Sequence, residues 1–194
     1  MFAGRPVGQA RGAGLPWSGL LIQPRSIEGI AVYATRQEEK MNPEVKVYLD
    51  AMDGLRRNLR GMLASMDSEE LNWKPLPGDA NSLYAIIAHM CAGEFNNVGK
   101  RISGQAVEPG YADTFHEEGD DPNELVQRLD HLEQVTHSVL EGLTSEDMDR
   151  ALPSAGSGPS RTVREILSAQ LRHQNLHLGH IEITKQLYEA GKRG

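Results

Sequence analysis

The sequence is short of two features that define large classes of proteins: cysteines and long apolar runs. Cys91 is the only cysteine among 194 residues, so no disulfide can form within the chain. Nothing in this usage favours an oxidising compartment. The apolar runs, such as residues 85–88 before His89, fall far short of the roughly 20 residues that a transmembrane helix needs. We therefore predict a cytoplasmic protein that does not span a membrane.

Aromatic residues and positive charge are also scarce. Aromatics make up 5% of the chain, and 20 lysines and arginines face 27 acidic residues, which gives a net charge of -7 and a pI near 5.5. Such a surface repels phosphates, and the sequence shows no basic face with interleaved aromatics. The composition argues against nucleic acid as a partner. With an ordinary apolar fraction and many charged residues, it is typical of a soluble helical protein.

The first 40 residues differ from the rest of the chain. They are rich in Gly, Pro and Arg, contain no acidic residue before Glu28, and show no sustained helical or strand period. We predict a flexible tail for 1–40 and one domain for 41–190. The apolar stretch at 19–22 is too short for a secretory signal, whereas an Arg-bearing organelle presequence stays open. Because the first strong helix pattern starts at Met41, we hypothesise that this methionine is the native start or an alternative to Met1.

Four segments have the periodicity of amphipathic helices, with apolar residues recurring every three or four positions. Each predicted helix start carries a capping signal. The signals are Asn42 before Pro43, Ser82 after Asn81, Asp121 before Pro122, and the capping box of Thr162 with Glu165. The sequence predicts a long exposed connection for residues 105–121 and a flexible loop for 153–159. Since no convincing strand pattern is present, the sequence predicts an all-α fold, a four-helix bundle.

The last predicted helix has histidines on the line that should face the core. This line comprises Val163, Ile166, Gln170, His173, His177, His180 and Thr184. His173 and His177 are four residues apart, which places their rings one helical turn apart and within reach of one metal ion. A single pair with this spacing also occurs by chance. Buried imidazoles nevertheless need partners, and coordination of a metal would provide them.

A third histidine, His89, lies among apolar residues of the second predicted helix. Opposite the pair on the last helix it would complete a set of three nitrogen ligands and leave one or two positions open for catalysis or ligand exchange. Gly93, one turn later, would leave room beside the ion or would simply allow close helix packing. Cys91 and Glu94 point away from His89 on an ideal helix. We therefore interpret Cys91 as packing and do not include Glu94 among the ligands.

Two motifs in this order resemble the DinB-like family. The first comprises Leu-Asn-Trp-Lys-Pro at 71–75, Gly78, Asn-Ser-Leu at 81–83 and then His89. The second is His-Gln-Asn-Leu-His-Leu-Gly-His-Ile at 173–181, with two histidines four apart and a glycine two residues on. The resemblance implies a four-helix bundle that binds one divalent metal ion, usually zinc or nickel, in a family where homodimers are common.

Carried over to this chain, the family pattern makes His89, His173 and His177 the metal ligands. His180 stands where the family usually has glutamine, and we expect it near the site as a hydrogen-bonding or structural residue rather than a ligand. Some relatives are transferases that join a low-molecular-weight thiol to a small electrophilic substrate. The resemblance therefore implies a metal-dependent S-transferase, or a hydrolase if water replaces the thiol. The alternatives are a non-catalytic, metal-stabilised protein that is stress-related or binds a small molecule, and a metal-free interaction module.

Overall fold

The computed structural model describes residues 41–76, 78–105, 111–154 and 158–192. These residues belong to one compact unit, Glu39–Gly194. The predicted tail, 1–40, lies outside the described residues. Six α-helices are present in the described part: α1 Pro43–Leu63, α2 Ser68–Asn72, α3 Leu83–Glu94, α4 Pro122–Leu140, α5 Ser145–Asp149 and α6 Val163–Lys192.

The four long helices, α1, α3, α4 and α6, form a four-helix bundle, and the predicted fold class is confirmed. α1 packs against α4 and α6, and α3 packs against the same two helices. The short helices α2 and α5 lie in the connections. In the described residues no helix is both long enough and apolar enough to cross a bilayer.

The capping residues identified in the sequence begin the long helices. Asn42 and Asp121 each accept a hydrogen bond from the backbone N–H two residues further on, and Ser82 accepts one from the third residue on. Thr162 and Glu165 form the expected reciprocal pair, because each backbone N–H donates to the other side chain, over 2.7 and 3.2 Å. These bonds satisfy N–H groups that have no partner inside the helix.

Several local features were not predicted, among them the short helices α2 and α5. After α3 the chain continues as a π-helix, Phe95–Ile102, and the connection to α4 contains a 3₁₀-helix, Tyr111–His116. Strand β1, Ala151–Leu152, pairs antiparallel with β2, Arg161–Thr162, just before α6. Strands of two residues are too short to produce an alternating pattern, and a π-helical turn preserves the apolar composition that indicates a helix.

The core consists of two apolar clusters with a layer of buried polar side chains between them along the helices. The first cluster includes Leu59, Ile87, Leu129 and Ile181, and the second includes Met52, Val98, Leu140 and Leu167. We call the buried residues between them the polar layer. It comprises Arg56 on α1, Glu94 on α3, Thr136 on α4, and Gln170, Gln174 and His177 on α6.

Gly119 should be intolerant of any side chain. A Cβ at Gly119 would overlap with the ring of Tyr84, whose side chain is buried and whose hydroxyl is 3.0 Å from a Glu124 carboxylate oxygen. We expect Gly119→Ala to lower the free energy of unfolding by about 1–3 kcal/mol, as overpacking does. Gly61→Ala is the control, because its Cβ meets no atom within 4 Å inside α1, and it should raise stability by about 0.5–1 kcal/mol. Urea denaturation measures both, and equal stability of the two variants would contradict the packing described.

Candidate metal centre

Three imidazoles from two helices converge at one point beside the polar layer. Nε2 of His173 lies 3.0 Å from Nε2 of His177 and 3.3 Å from Nε2 of His89. All three candidate ligand atoms lie within 4.8 Å of one another. His89 and His177 are buried, and His173 is partly exposed. The structure therefore brings together the three histidines that the sequence predicted as ligands.

Helix geometry accounts for this convergence. His173 and His177 lie one turn apart on α6, and their ring centroids are 4.4 Å apart. His89 approaches from α3, with its ring centroid 5.2 Å from that of His173. Gly93 lies next to this contact, since a Cβ there would be 3.7 Å from Cε1 of His173. This is an ordinary van der Waals distance, so a methyl group at position 93 would fit beside the histidines.

The 3₁₀-helix holds the ring of His89 from the side opposite the cluster. Oγ1 of Thr114 lies 3.3 Å from Nδ1 of His89, and the ring of Phe115 stacks on the imidazole at a centroid distance of 4.0 Å. When Nδ1–H donates to Thr114, the lone pair of Nε2 faces the other two histidines. Sequence reasoning missed both residues, because they lie in a connection without periodicity and Thr114 belongs to no motif.

Burial keeps the three imidazoles neutral. It lowers the pKa of His89 and of His173, and together with the neighbouring histidines it lowers the pKa of His177 to about 4. Neutral imidazole is the form that can donate a lone pair to a metal. Nδ1 of His177 is buried without a partner among the described residues. At neutral pH the cluster consists of unprotonated nitrogen donors.

His180 does not lie on the buried line of α6, so that part of the sequence interpretation is wrong. Its side chain is exposed, and Ile181 occupies the buried position instead. A step of three residues from His177 rotates the side chain by only about 300°, which falls short of a full helical turn. The ring of His180 remains next to the cluster, with its centroid 5.6 Å from that of His177.

Glu94 and Cys91 lie outside the histidine cluster. The Glu94 carboxylate is fully buried and accepts hydrogen bonds from Arg56, Thr136 and Gln174. The thiol of Cys91 is buried as well, and burial together with the charge of Glu94 raises its pKa to about 12. A thiol with such a pKa stays protonated near neutral pH, which agrees with a packing role.

A second group with metal-ligating side chains is formed by Asp53, Glu133 and His137 on α1 and α4. Its two carboxylates are already paired with arginines, Asp53 with Arg56 and Glu133 with Arg60. Their charge is therefore compensated within the protein. The histidine cluster is the better candidate for a metal, because none of the hydrogen bonds of its rings is made with a lysine or an arginine.

The protein is therefore a four-helix bundle in which three imidazoles form a candidate metal centre. The sequence model of the DinB superfamily matches residues 51–181, which is about two thirds of the chain. The chain belongs to the DinB superfamily. Its three clustered histidines lie within the matched segment.

Solved structures of DinB-like proteins share the fold. YfiT from Bacillus subtilis, described as a probable metal-dependent hydrolase with an unusual four-helix bundle topology, is 15% identical, with a TM-score of 0.62, over 75% of this chain and 89% of that chain. A DinB-like protein from Bacillus cereus is 16% identical, with a TM-score of 0.57, over 74% and 91%. Another from Bacillus subtilis is 19% identical, with a TM-score of 0.53, over 74% and 92%. No curated protein shows significant sequence similarity to the chain.

The lowered pKa of His177 makes a prediction for the metal-free protein. In the unfolded chain the imidazole titrates near 6.5, whereas in the folded protein its pKa is about 4. The unfolded state binds more protons between these values, so the free energy of unfolding should decrease as the pH falls from about 6.5 to about 4. Urea denaturation at several pH values, with a chelator present, measures this loss.

His177→Gln is the matched variant for that experiment. It removes the titrating group but keeps a polar side chain of similar size, so the loss of stability with falling pH should be smaller than in the parent. The comparison reports the contribution of His177 together with its coupling to the neighbouring histidines, which are present in both proteins. Identical slopes in the two proteins would contradict the burial of a neutral imidazole at this position.

Proposed function

We propose that the protein is a metal-dependent enzyme in which His89, His173 and His177 hold one divalent transition metal, zinc or nickel. The observation that carries this proposal is the convergence of three Nε2 atoms. That of His173 lies 3.0 Å from that of His177 and 3.3 Å from that of His89. Three nitrogen ligands are characteristic of catalytic rather than closed structural sites, because they leave a position for an exogenous ligand. The burial that keeps the rings neutral supports the same assignment.

The donor set fits such a metal. Imidazole nitrogen is a good ligand for zinc, nickel, cobalt and iron, and Thr114 orients His89 as a polar neighbour commonly does for a ligating histidine. A bound divalent metal would lower the pKa of a coordinated thiol or water and so supply a nucleophile near neutral pH. The histidines themselves would hold the metal in place, and Phe115 shields one face of His89 from water.

The reaction we propose is transfer of a low-molecular-weight thiol to a small electrophilic substrate, with hydrolysis as the related reaction if water enters in place of the thiol. Within the part of the chain that the structure describes, no carboxylate is hydrogen-bonded to the three imidazoles. This supports a reaction in which no protein base activates the nucleophile. The description of YfiT as a probable metal-dependent hydrolase favours the same general chemistry.

His180 is the residue we propose as a hydrogen-bonding partner for the incoming molecule. It is exposed and adjacent to His177, so it lies where a substrate would approach the cluster. A cytoplasmic location and a homodimer are further parts of the proposal. They are consistent with the single cysteine and with the family resemblance.

Elemental analysis tests the metal assignment directly. Purified without an affinity tag, the parent should contain close to one equivalent of a divalent transition metal. His89→Ala and His177→Ala should each lose most of it, because every variant removes one of three ligands. His131→Ala is the matched control, since His131 lies on α4 outside the cluster, and it should retain the metal. A folded parent that binds no metal even after reconstitution would refute the proposal.

The open coordination position makes a separate prediction. Cobalt-substituted protein should change its visible absorption spectrum when azide or a small thiol is added, because either ligand would enter the coordination sphere. His180→Ala should retain this response, since His180 is proposed to contact the incoming molecule and not the metal. A spectrum that neither ligand changes would rule out an open position and would indicate the non-catalytic, metal-stabilised alternative.

A further inference from the structure

One carboxylate joins all four long helices of the bundle. On α3, Oε1 of Glu94 accepts hydrogen bonds from Nη1 of Arg56 on α1, at 2.5 Å, and from Oγ1 of Thr136 on α4, at 2.6 Å. Its Oε2 accepts a hydrogen bond from Nε2 of Gln174 on α6. Glu94 is 0% exposed and Arg56 is 2% exposed, so water cannot replace a partner that is lost.

This arrangement constrains how the helices can move. A buried charge is tolerated only while its partners compensate it, and removing one donor leaves the carboxylate poorly solvated. Rotation or sliding of any one helix would break a hydrogen bond to Glu94. The contacts therefore favour one rotation and one height of the four helices at this level of the bundle.

The same level carries the histidines. Gln174 follows His173 directly on α6, and Glu94 follows Gly93, which packs against the ring of His173. The hydrogen bond between Gln174 and Glu94 is thus a direct link between the two helices that supply the three imidazoles. Of its two partners, Gln174 is one residue after His173, and Glu94 is five residues after His89.

Apolar packing in this part of α6 is limited to the partly buried Leu171 and Leu178. On α6 no fully buried apolar residue lies between Leu167 and Ile181, and the buried positions in that interval are Gln170, Gln174 and His177. Gln170 is itself held by a hydrogen bond, since Oε1 accepts from Nδ2 of Asn97 at 2.8 Å. Hydrogen bonds from its buried side chains therefore link this part of α6 to α3 and to the π-helix.

We propose that Glu94 is the positioning residue of the histidine cluster and that it acts through Gln174. It fixes α3 against α6 so that Nε2 of His89 meets the two imidazoles of α6. This inference rests on the proposed metal function for its consequence, tighter metal binding. It concerns a residue that does not touch the metal and that no ligand pattern identifies.

Gln174→Met tests the inference, because it removes the donor to Glu94 while keeping a side chain of similar length. Two measurements are made: the dissociation constant for Zn²⁺, by competition with a chelator, and the NOEs between ring protons of His89 and His173 in metal-free protein. We expect zinc binding to weaken by about 10- to 100-fold, as found when residues that support ligands are lost. The NOEs should weaken as well, because the two rings move apart.

Leu167→Ala is the matched control on the same helix. Leu167 is fully buried in the second apolar cluster, so its truncation reduces stability without touching the polar layer. Zinc affinity and NOEs should stay at the parent values in this variant, provided circular dichroism shows native helicity. If Leu167→Ala weakens zinc binding as much as Gln174→Met does, general destabilisation explains both results and the positioning role is refuted.

Exchange of the two side chains provides a rescue. Gln174→Glu alone places two carboxylates together and should weaken zinc binding strongly. Adding Glu94→Gln restores one carboxylate and one amide between α3 and α6, and affinity should recover in part, because the amide oxygen at position 94 can still accept from Thr136 but no longer neutralises Arg56. Failure of this recovery, with both variants folded, would contradict the proposal.

The NOEs separate the two hypotheses. If the parent and His89→Ala bind zinc equally weakly, the proposed metal function is wrong, and the NOE comparison alone then decides the role of Glu94. Weaker NOEs in Gln174→Met would still establish that Glu94 positions the imidazoles. Unchanged NOEs would overturn the inference whatever the metal affinity.

Discussion

A charged carboxylate in the centre of a helical bundle is the constraint on which the rest of this structure depends. Burying Glu94 without partners would cost several kcal/mol, and its compensation requires one donor from each of the other three long helices. The apolar core is consequently divided into two clusters with a polar layer between them. Hydrophobic burial holds the helices together, whereas the polar layer specifies how they are aligned.

The histidine cluster is a second set of polar groups inside the bundle, at the same level as Glu94. Three imidazoles that face one another can be buried only as neutral groups, and burial lowers the pKa of each of them. A cation bound at this point would give each Nε2 a partner, so that metal binding and folding would stabilise each other.

Much of the fold could be predicted from local signals. Asn42, Ser82 and Asp121 begin helices as expected because capping depends on neighbours in the sequence. The three histidines could be found because two have helical spacing and the third lies in an apolar segment. The partners of Glu94 could not, since each is on a different helix and ordinary in its own segment. Thr114 and Phe115 were missed because a 3₁₀-helix leaves no periodicity, and His180 was misplaced because a three-residue step is slightly short of a turn.

The side chains around His89 come from two kinds of element, long helices and a connection, and this affects which positions can be varied. Long helices supply the imidazoles, and the polar layer restricts substitutions in those helices. Thr114 and Phe115, in contrast, belong to the 3₁₀-helix of a connection and contact His89 without joining the polar layer. Mutations there can alter the surroundings of His89 without breaking the hydrogen bonds of the polar layer. Libraries aimed at new selectivity should therefore vary Phe115, keep Thr114 and Glu117, which contact His89 and Arg128, and leave the helices intact.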